Sequence, residues 1–162
     1  MITINDDDIK TAMQGVIDEY LKPKFIELGM NASGKWLENL QADAVNGVGY
    51  IRGLDYTFYL ANGRKPNQDQ SPEAINHFTK WAGFYIFTKW VKDKGISANP
   101  YAVARAVAMN GTRNYPSGTD LLTVLTSKEV NQYLYTKINA GVAGKLRLEI
   151  QNRVYNTIQQ NG

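Results

Sequence analysis

Apolar residues along the first thirty positions recur at helical spacing. Ile9, Met13, Val16 or Ile17, and Tyr20 or Leu21 follow a start at Asp6, Asp7 and Asp8, where carboxylates complement the positive end of a helix and can cap its free N–H groups. The pattern predicts a helix over about 7–21, interrupted near Pro23 and carried by Phe25, Ile26 and Leu28 to Gly29. A second helix is expected to open at Asn31–Ser33 and bury Trp36, Leu37 and Leu40. At Asn46-Gly47 and Gly49 the period changes. Tyr50–Leu54 and Tyr56–Leu60 are aromatic and β-branched enough for strands, the second serving equally as a helical turn. Asn62-Gly63 signals a turn, and Arg64–Gln70 reads as an exposed loop.

Ser71-Pro72-Glu73 places a hydroxyl cap, a proline at the first position and an acid in the first turn of a helix that ends at Gly95. At 100° per residue, Glu73, Asn76, His77 and Lys80 share a polar arc opposite Ile75, Phe78 and Ala82, but Phe84, Phe87 and Val91 then occupy that arc. A helix apolar on every side must be covered on every side. Either the domain wraps it, with Trp81, Phe84, Phe87 and Trp90 inside one subunit, or a neighbouring subunit covers it. Asn99-Pro100 repeats the cap-and-proline signature before an alanine-rich helix that ends at Gly111; Thr112–Thr119 is a loop, and a short turn is expected at Asp120–Leu125. From Ser127 onward Val130, Leu134, Ile138, Val142, Leu146, Ile150, Val154 and Ile158 fall every four residues, although Leu146, Leu148 and Ile150 also alternate. One unbroken helix there would be about 50 Å long, against a radius of gyration of about 15 Å for a compact chain of this size. A break at Gly141 or Gly144 is expected. The pattern is α+β: a small antiparallel sheet flanked by several helices, with a helical C-terminal region. A domain over 1–125 is expected, followed by a helical segment over 126–162 packed on it or on a neighbour.

Length and composition narrow the picture. The 162 residues, 43% hydrophobic and 20% charged, suit one globular domain that needs no staple. No cysteine is present, which removes disulfides, thiolate metal sites and cysteine nucleophiles. The single histidine, His77, has no second imidazole to share a metal. No apolar run approaches the ~20 residues of a membrane helix, and no basic-then-apolar leader opens the chain, so a soluble protein made in the cytoplasm is expected. Charge is unevenly placed along the sequence: residues 1–60 hold nine acids and five bases, and residues 61–162 hold six acids and thirteen bases. That polarity permits head-to-tail association, and it is equally compatible with a solvated surface. The basic half also suits phosphate neutralisation on nucleic acid, but its cations are scattered rather than gathered into an arm.

Enzyme motifs fail one by one. Gly29-Met30-Asn31-Ala32-Ser33-Gly34-Lys35 has phosphate-loop spacing, but Trp36 stands where a magnesium-binding hydroxyl is needed, and Leu146 follows Gly144-Lys145 in the same way. His77 lacks a cysteine or serine-elbow partner. The aspartate triplet reads as a helix entry, since three consecutive helical carboxylates diverge. Asp43, Asp55 and Asp69 have no glycosidase or nuclease spacing. Asn31-Ala32-Ser33 and Asn110-Gly111-Thr112 match glycosylation sequons but read as a cap and a turn. The expectation is a protein without catalytic residues, cofactor or metal.

Three segments in order carry a resemblance: YTFYLANGRKP at Tyr56–Pro66, IFTKWVKDKGI at Ile86–Ile96 and AVARAVAMNGT at Ala102–Thr112. Their succession resembles the head–tail connector, or tail-completion, proteins of tailed-bacteriophage necks, over about residues 45–125. Asn76–Tyr85 departs from the usual pattern by lengthening the central helix. The resemblance implies a structural virion protein that assembles into a ring of six or twelve copies beneath the portal, contacts adjacent neck or tail proteins and lets double-stranded DNA pass. In that frame Arg64, Lys65, Pro66 and Arg113 are subunit or DNA-channel contacts, and Trp81, Phe84, Phe87 and Trp90 are core or inter-subunit packing. Replacing Arg64 and Lys65 together by Glu is then expected to block assembly and spare the fold. The alternative is a small basic DNA-binding protein, with duplex binding that collapses steeply as salt rises.

Overall fold

The computed structural model describes residues 5–143 and shows an α+β fold. Two compact units interleave along the chain. Unit 1 is built from the chain up to Leu21, from Leu40–Arg52 and from Val124 onward; unit 2 is built from Lys22–Asn39 and Gly53–Thr123. Residues 1–125 contribute to both units.

In unit 1, Asn5 rather than an aspartate caps the first helix: its side chain accepts the Asp8 N–H at 2.9 Å. Helix α1 (Asp6–Val16) runs into a wider π-helical turn, Ile17–Leu21, and buries Ile9, Ala12, Val16, Ile17 and Leu21. Strands β1 (Gln41–Val45) and β2 (Val48–Arg52) form an antiparallel hairpin with Val45 opposite Val48. The two turn residues, Asn46 and Gly47, both have positive φ (54° and 79°), the twist-matched geometry that Asn-Gly favours. Asp6 holds this turn, its carboxylate accepting the N–H groups of Asn46 (3.1 Å) and Gly47 (2.8 Å). Gly49 faces Met13 and Ile9 of α1. By the period of two, Ala42, Gly49 and Ile51 therefore turn toward α1, and Asp43, Val45, Val48, Tyr50 and Arg52 turn away.

Helix α8 spans 128–143, and the Ser127 hydroxyl accepts the Val130 N–H at 3.2 Å. Tyr133 donates to Glu19 at 3.0 Å and meets Tyr20 edge-to-face at 5.4 Å; partial burial and the Glu19 carboxylate both raise its phenol above the ordinary value. The expected break at Gly141 does not occur: Gly141 is helical and lies against Asp8 of α1, so tertiary support outweighs a glycine's helix cost of about 1 kcal/mol. Gly144 and the rest of the expected C-terminal helix lie outside the described residues.

Unit 2 opens with α2 (Lys22–Glu27). Pro23 is its second residue, just after the π-helical turn Ile17–Leu21. The α-helical register is thus interrupted just before the proline and resumes at Lys22, close to where the sequence places the interruption. The expected helix from Asn31 is only one turn, α3 (Lys35–Glu38). Its Trp36 is buried, stacks on Phe25 at 4.3 Å and donates its indole N–H to Thr57 at 2.8 Å. In the loop that imitates a phosphate-binding sequence, the Asn31 side chain takes the Gly34 N–H. Of the two readings left open for Tyr56–Leu60, the helical one holds: the stretch enters α4 (Thr57–Asn62). The sheet's second strand is Gln41–Val45, which has little β-branched content to announce it.

Helix α5 (Pro72–Ala82) starts as expected, with Ser71 accepting the Ala74 N–H. It passes through a π turn, Gly83–Phe87, into α6 (Thr88–Asp93). The Thr88 hydroxyl donates to the Gly83 carbonyl at 2.7 Å, reinforcing the widened turn. Helix α7 (Pro100–Asn110) is capped by Asn99 and packs on α5 through its small-residue face; Ala104 and Ala108 are fully buried. The Lys24 ammonium bonds both Asp120 (2.7 Å) and Glu27 (3.2 Å), and the Lys24 hydrogen bond holds the Asp120 carboxyl below its usual range. No helix among the described residues is long and apolar enough to cross a membrane.

Among the described residues one buried side-chain polar atom is unsatisfied: the Thr79 hydroxyl on α5 has no hydrogen-bond partner. Replacing it by an isosteric methyl removes that desolvation cost. Thr79→Val is therefore expected to raise stability by about 1 kcal/mol, read as an upward shift of the urea midpoint; a lowered midpoint would show that the hydroxyl has a partner.

Candidate functional site

The site grows from the end of α7. A helix leaves its last carbonyls without intrahelical partners, and residues 64–70 supply them. The Asn67 N–H donates to the Ala108 carbonyl at 2.8 Å, Gln70 Nε2 to the same oxygen at 3.1 Å, and Arg64 Nη1 to the Val107 carbonyl at 3.4 Å. Arg64 and Thr112 are tied twice, by the Arg64 N–H to Thr112 Oγ1 and the Thr112 N–H to the Arg64 carbonyl, both at 2.8 Å. Two glycines permit so close an approach. Gly63 (φ +73°) lies against the backbone of Asn114 and Tyr115, and Gly111 (φ +79°) against the Arg64 carbonyl. The loop beyond contains a cis Tyr115–Pro116 bond and folds back so that Thr119 donates to Ala61.

Arg64 is not the exposed contact expected of a loop cation. Its guanidinium is half-buried, bonds Asn67 Oδ1 at 2.7 Å and the Lys65 carbonyl at 3.1 Å, and lies 4.3 Å from the Phe78 ring centroid. Burial draws its pKa below the ordinary value, though a guanidinium keeps its charge. The physical reason is the helix end: a cation with planar donors suits the partial negative charge of α7's C-terminus. Lys65 and Arg113 are exposed and Pro66 is half-buried. Beside them, Tyr59, Arg64, Asn67 and Asp69 line an open cleft of about 330 Å³. A second groove, of about 510 Å³, runs past Glu73, His77 and Phe78. The groove's Ser71 is engaged as a helix cap, and Asp69 accepts the Ser71 N–H, which lowers its pKa. Among the described residues no group of three or more metal-ligating side chains comes together.

The four aromatics expected to pack together divide. Phe87 and Trp90 are half-buried and meet edge-to-face at 6.1 Å, whereas Trp81 and Phe84 are 49% and 62% exposed. Trp81 and Phe84 therefore lie outside the core of the subunit. Tyr85 (68%) and Ile86 (43%) join them. Phe78 approaches Trp81 at 6.2 Å, Trp81 approaches Tyr85 at 6.4 Å, and Tyr85 meets Phe84 edge-to-face at 4.9 Å. The result is one connected aromatic surface that runs from Arg64 along α5 and over the π turn. Phe78, Tyr85 and Asn67 were not singled out from sequence. Phe78 sits on the expected apolar arc, so nothing marked it as a seat for a cation.

Compared with protein-family models, characterised proteins and solved structures, the chain matches none.

Proposed function

We propose that the chain is a non-catalytic component of a tailed-bacteriophage neck, which associates with copies of itself into a ring that joins portal to tail and lets DNA through. The observation that carries this reading is the exposed aromatic surface of Trp81, Phe84 and Tyr85. Soluble monomers rarely leave such contiguous apolar area uncovered, and rimmed by polar residues it marks an interaction surface. The resemblance supports the same reading, because two of its three segments meet at the Arg64–Thr112 ties; the exposed aromatics Trp81, Phe84 and Tyr85 lie in the stretch that departs from it. In this reading Lys65 and Arg113, both exposed, are the cations left to meet a neighbour or passing DNA.

The two units also differ in charge, though less than the two sequence halves do. Unit 2 holds eleven bases and seven acids, and unit 1 holds seven bases and eight acids. Opposite net charge on two units of one chain favours heterologous contacts between copies. Native mass spectrometry over a concentration series tests the reading. A discrete six- or twelve-fold species is expected. Phe84→Ser/Tyr85→Ser is expected to return it to monomer with an unchanged far-ultraviolet circular dichroism spectrum and a lower melting temperature at concentrations where the parent assembles. A monomer at every concentration that binds duplex DNA with a steep salt dependence would favour the basic DNA-binding reading instead.

A further inference from the structure

We propose that the aromatic turn of one copy docks on the outer face of the β1–β2 hairpin of the next copy; the inference rests on the self-association reading above and names its partner surface. Unit 1 has an uncovered apolar face of its own. Among the described residues the hairpin is a two-stranded sheet with α1 on one face only, and its other face presents Val45, Val48 and Tyr50, each 44–51% exposed. A lone two-stranded ribbon is marginal without cover. Val45 and Val48 are directly paired, with Tyr50 two residues along β2, so the three form one short apolar strip.

Charge selects this occupant over a symmetric contact of the aromatic surface with itself. Lys80 and Lys92 are exposed on the same helical run as Trp81, Phe84 and Tyr85. A two-fold contact would oppose these cations to their own copies, which is destabilising. The hairpin strip has different surroundings. Its turn is held by Asp6, whereas Asp7 and Asp8 belong to α1, which covers the other face. On the strip itself Arg52 is neutralised by Asp43 at 2.9 Å. An aromatic surface flanked by lysines thus finds an apolar strip with an aspartate at its turn and no net positive charge of its own, on a different unit of the same sequence. Because the two patches differ, the contact repeats head to tail and closes a ring when the rotation permits.

The absence of cysteine from the chain makes the test direct. Val48→Cys and Phe84→Cys are made separately, the second with a tag that separates the two by size, and both are mixed at a concentration where native mass spectrometry shows assembly. Mild oxidation is expected to give the mixed disulfide as the main covalent product, with each variant alone staying monomeric on a denaturing gel. Both positions are exposed, and melting curves matching the unmodified chain confirm that each variant folds. Covalent dimers of Phe84→Cys alone would overturn the inference in favour of a two-fold contact. An assembled sample with no covalent product would overturn the docking and leave the ring reading standing. A monomer at every concentration would remove both.

Discussion

Gly111→Ala is expected to destabilise the protein by about 3 kcal/mol or more, because two costs fall on one atom. Gly111 has φ 79° and ψ −173°, a conformation essentially reserved for glycine. A Cβ there would stand 2.5 Å from the Arg64 carbonyl oxygen. That oxygen cannot withdraw cheaply, since it accepts the Thr112 N–H and belongs to the segment that completes α7. Urea denaturation followed by circular dichroism gives the measurement, with the loss read as a lower midpoint at unchanged slope. Gly29→Ala is the control: Gly29 also has positive φ (63°), but nothing lies within 4 Å of its Cβ position. Its loss is expected to stay near 1 kcal/mol, the cost of the left-handed conformation alone. Equal losses at the two positions would show that the packing of Arg64 on Gly111 contributes nothing.

The second large effect separates adjacent cations. Arg64→Ala is expected to cost about 2–4 kcal/mol, from hydrogen bonds of a charged donor to Asn67 and two carbonyls together with the cation–π contact on Phe78. Lys65→Ala, at an exposed residue, should change stability by no more than about 0.5 kcal/mol. A paired Arg64→Glu/Lys65→Glu change therefore acts on the fold as well as on any interface, and a loss of assembly in that variant would not isolate a contact role. Lys65→Glu alone is the informative change for assembly. Similar small losses for Arg64→Ala and Lys65→Ala would mean that Arg64 is as free as a loop cation.

Local signals were legible wherever one residue's chemistry decides the conformation. Ser71-Pro72 and Asn99-Pro100 do start helices, and Gly95 and Gly111 follow their ends. Gln41–Val45 was missed because its residues carry weak β preference; what makes it a strand is pairing to β2 and cover from α1. The Asn-Gly at 46–47 was the available hairpin signal. Tyr56–Leu60 shows the converse: its aromatic content suits a strand, yet the segment forms a helix whose Thr57 receives Trp36. Among the candidate site residues, the helical wheel found the change of character after Ala82. It did not contain the π turn, because a constant 100° step has no place for a widened register. Arg64 was misjudged for a related reason: a loop's exposure depends on what it closes, and here it closes the end of α7, forty-odd residues further on.

The interleaving of the two units has a consequence for how the molecule is made. Every segment of unit 2 has been synthesised once residue 123 has left the ribosome, whereas unit 1 lacks α8 until after residue 143. Its N-terminal helix and hairpin, made first, must therefore wait for a partner more than a hundred residues downstream, a long-range closure of the kind that slows folding. The hairpin strip that we assign to the neighbouring copy thus belongs to the unit whose long-range closure comes last.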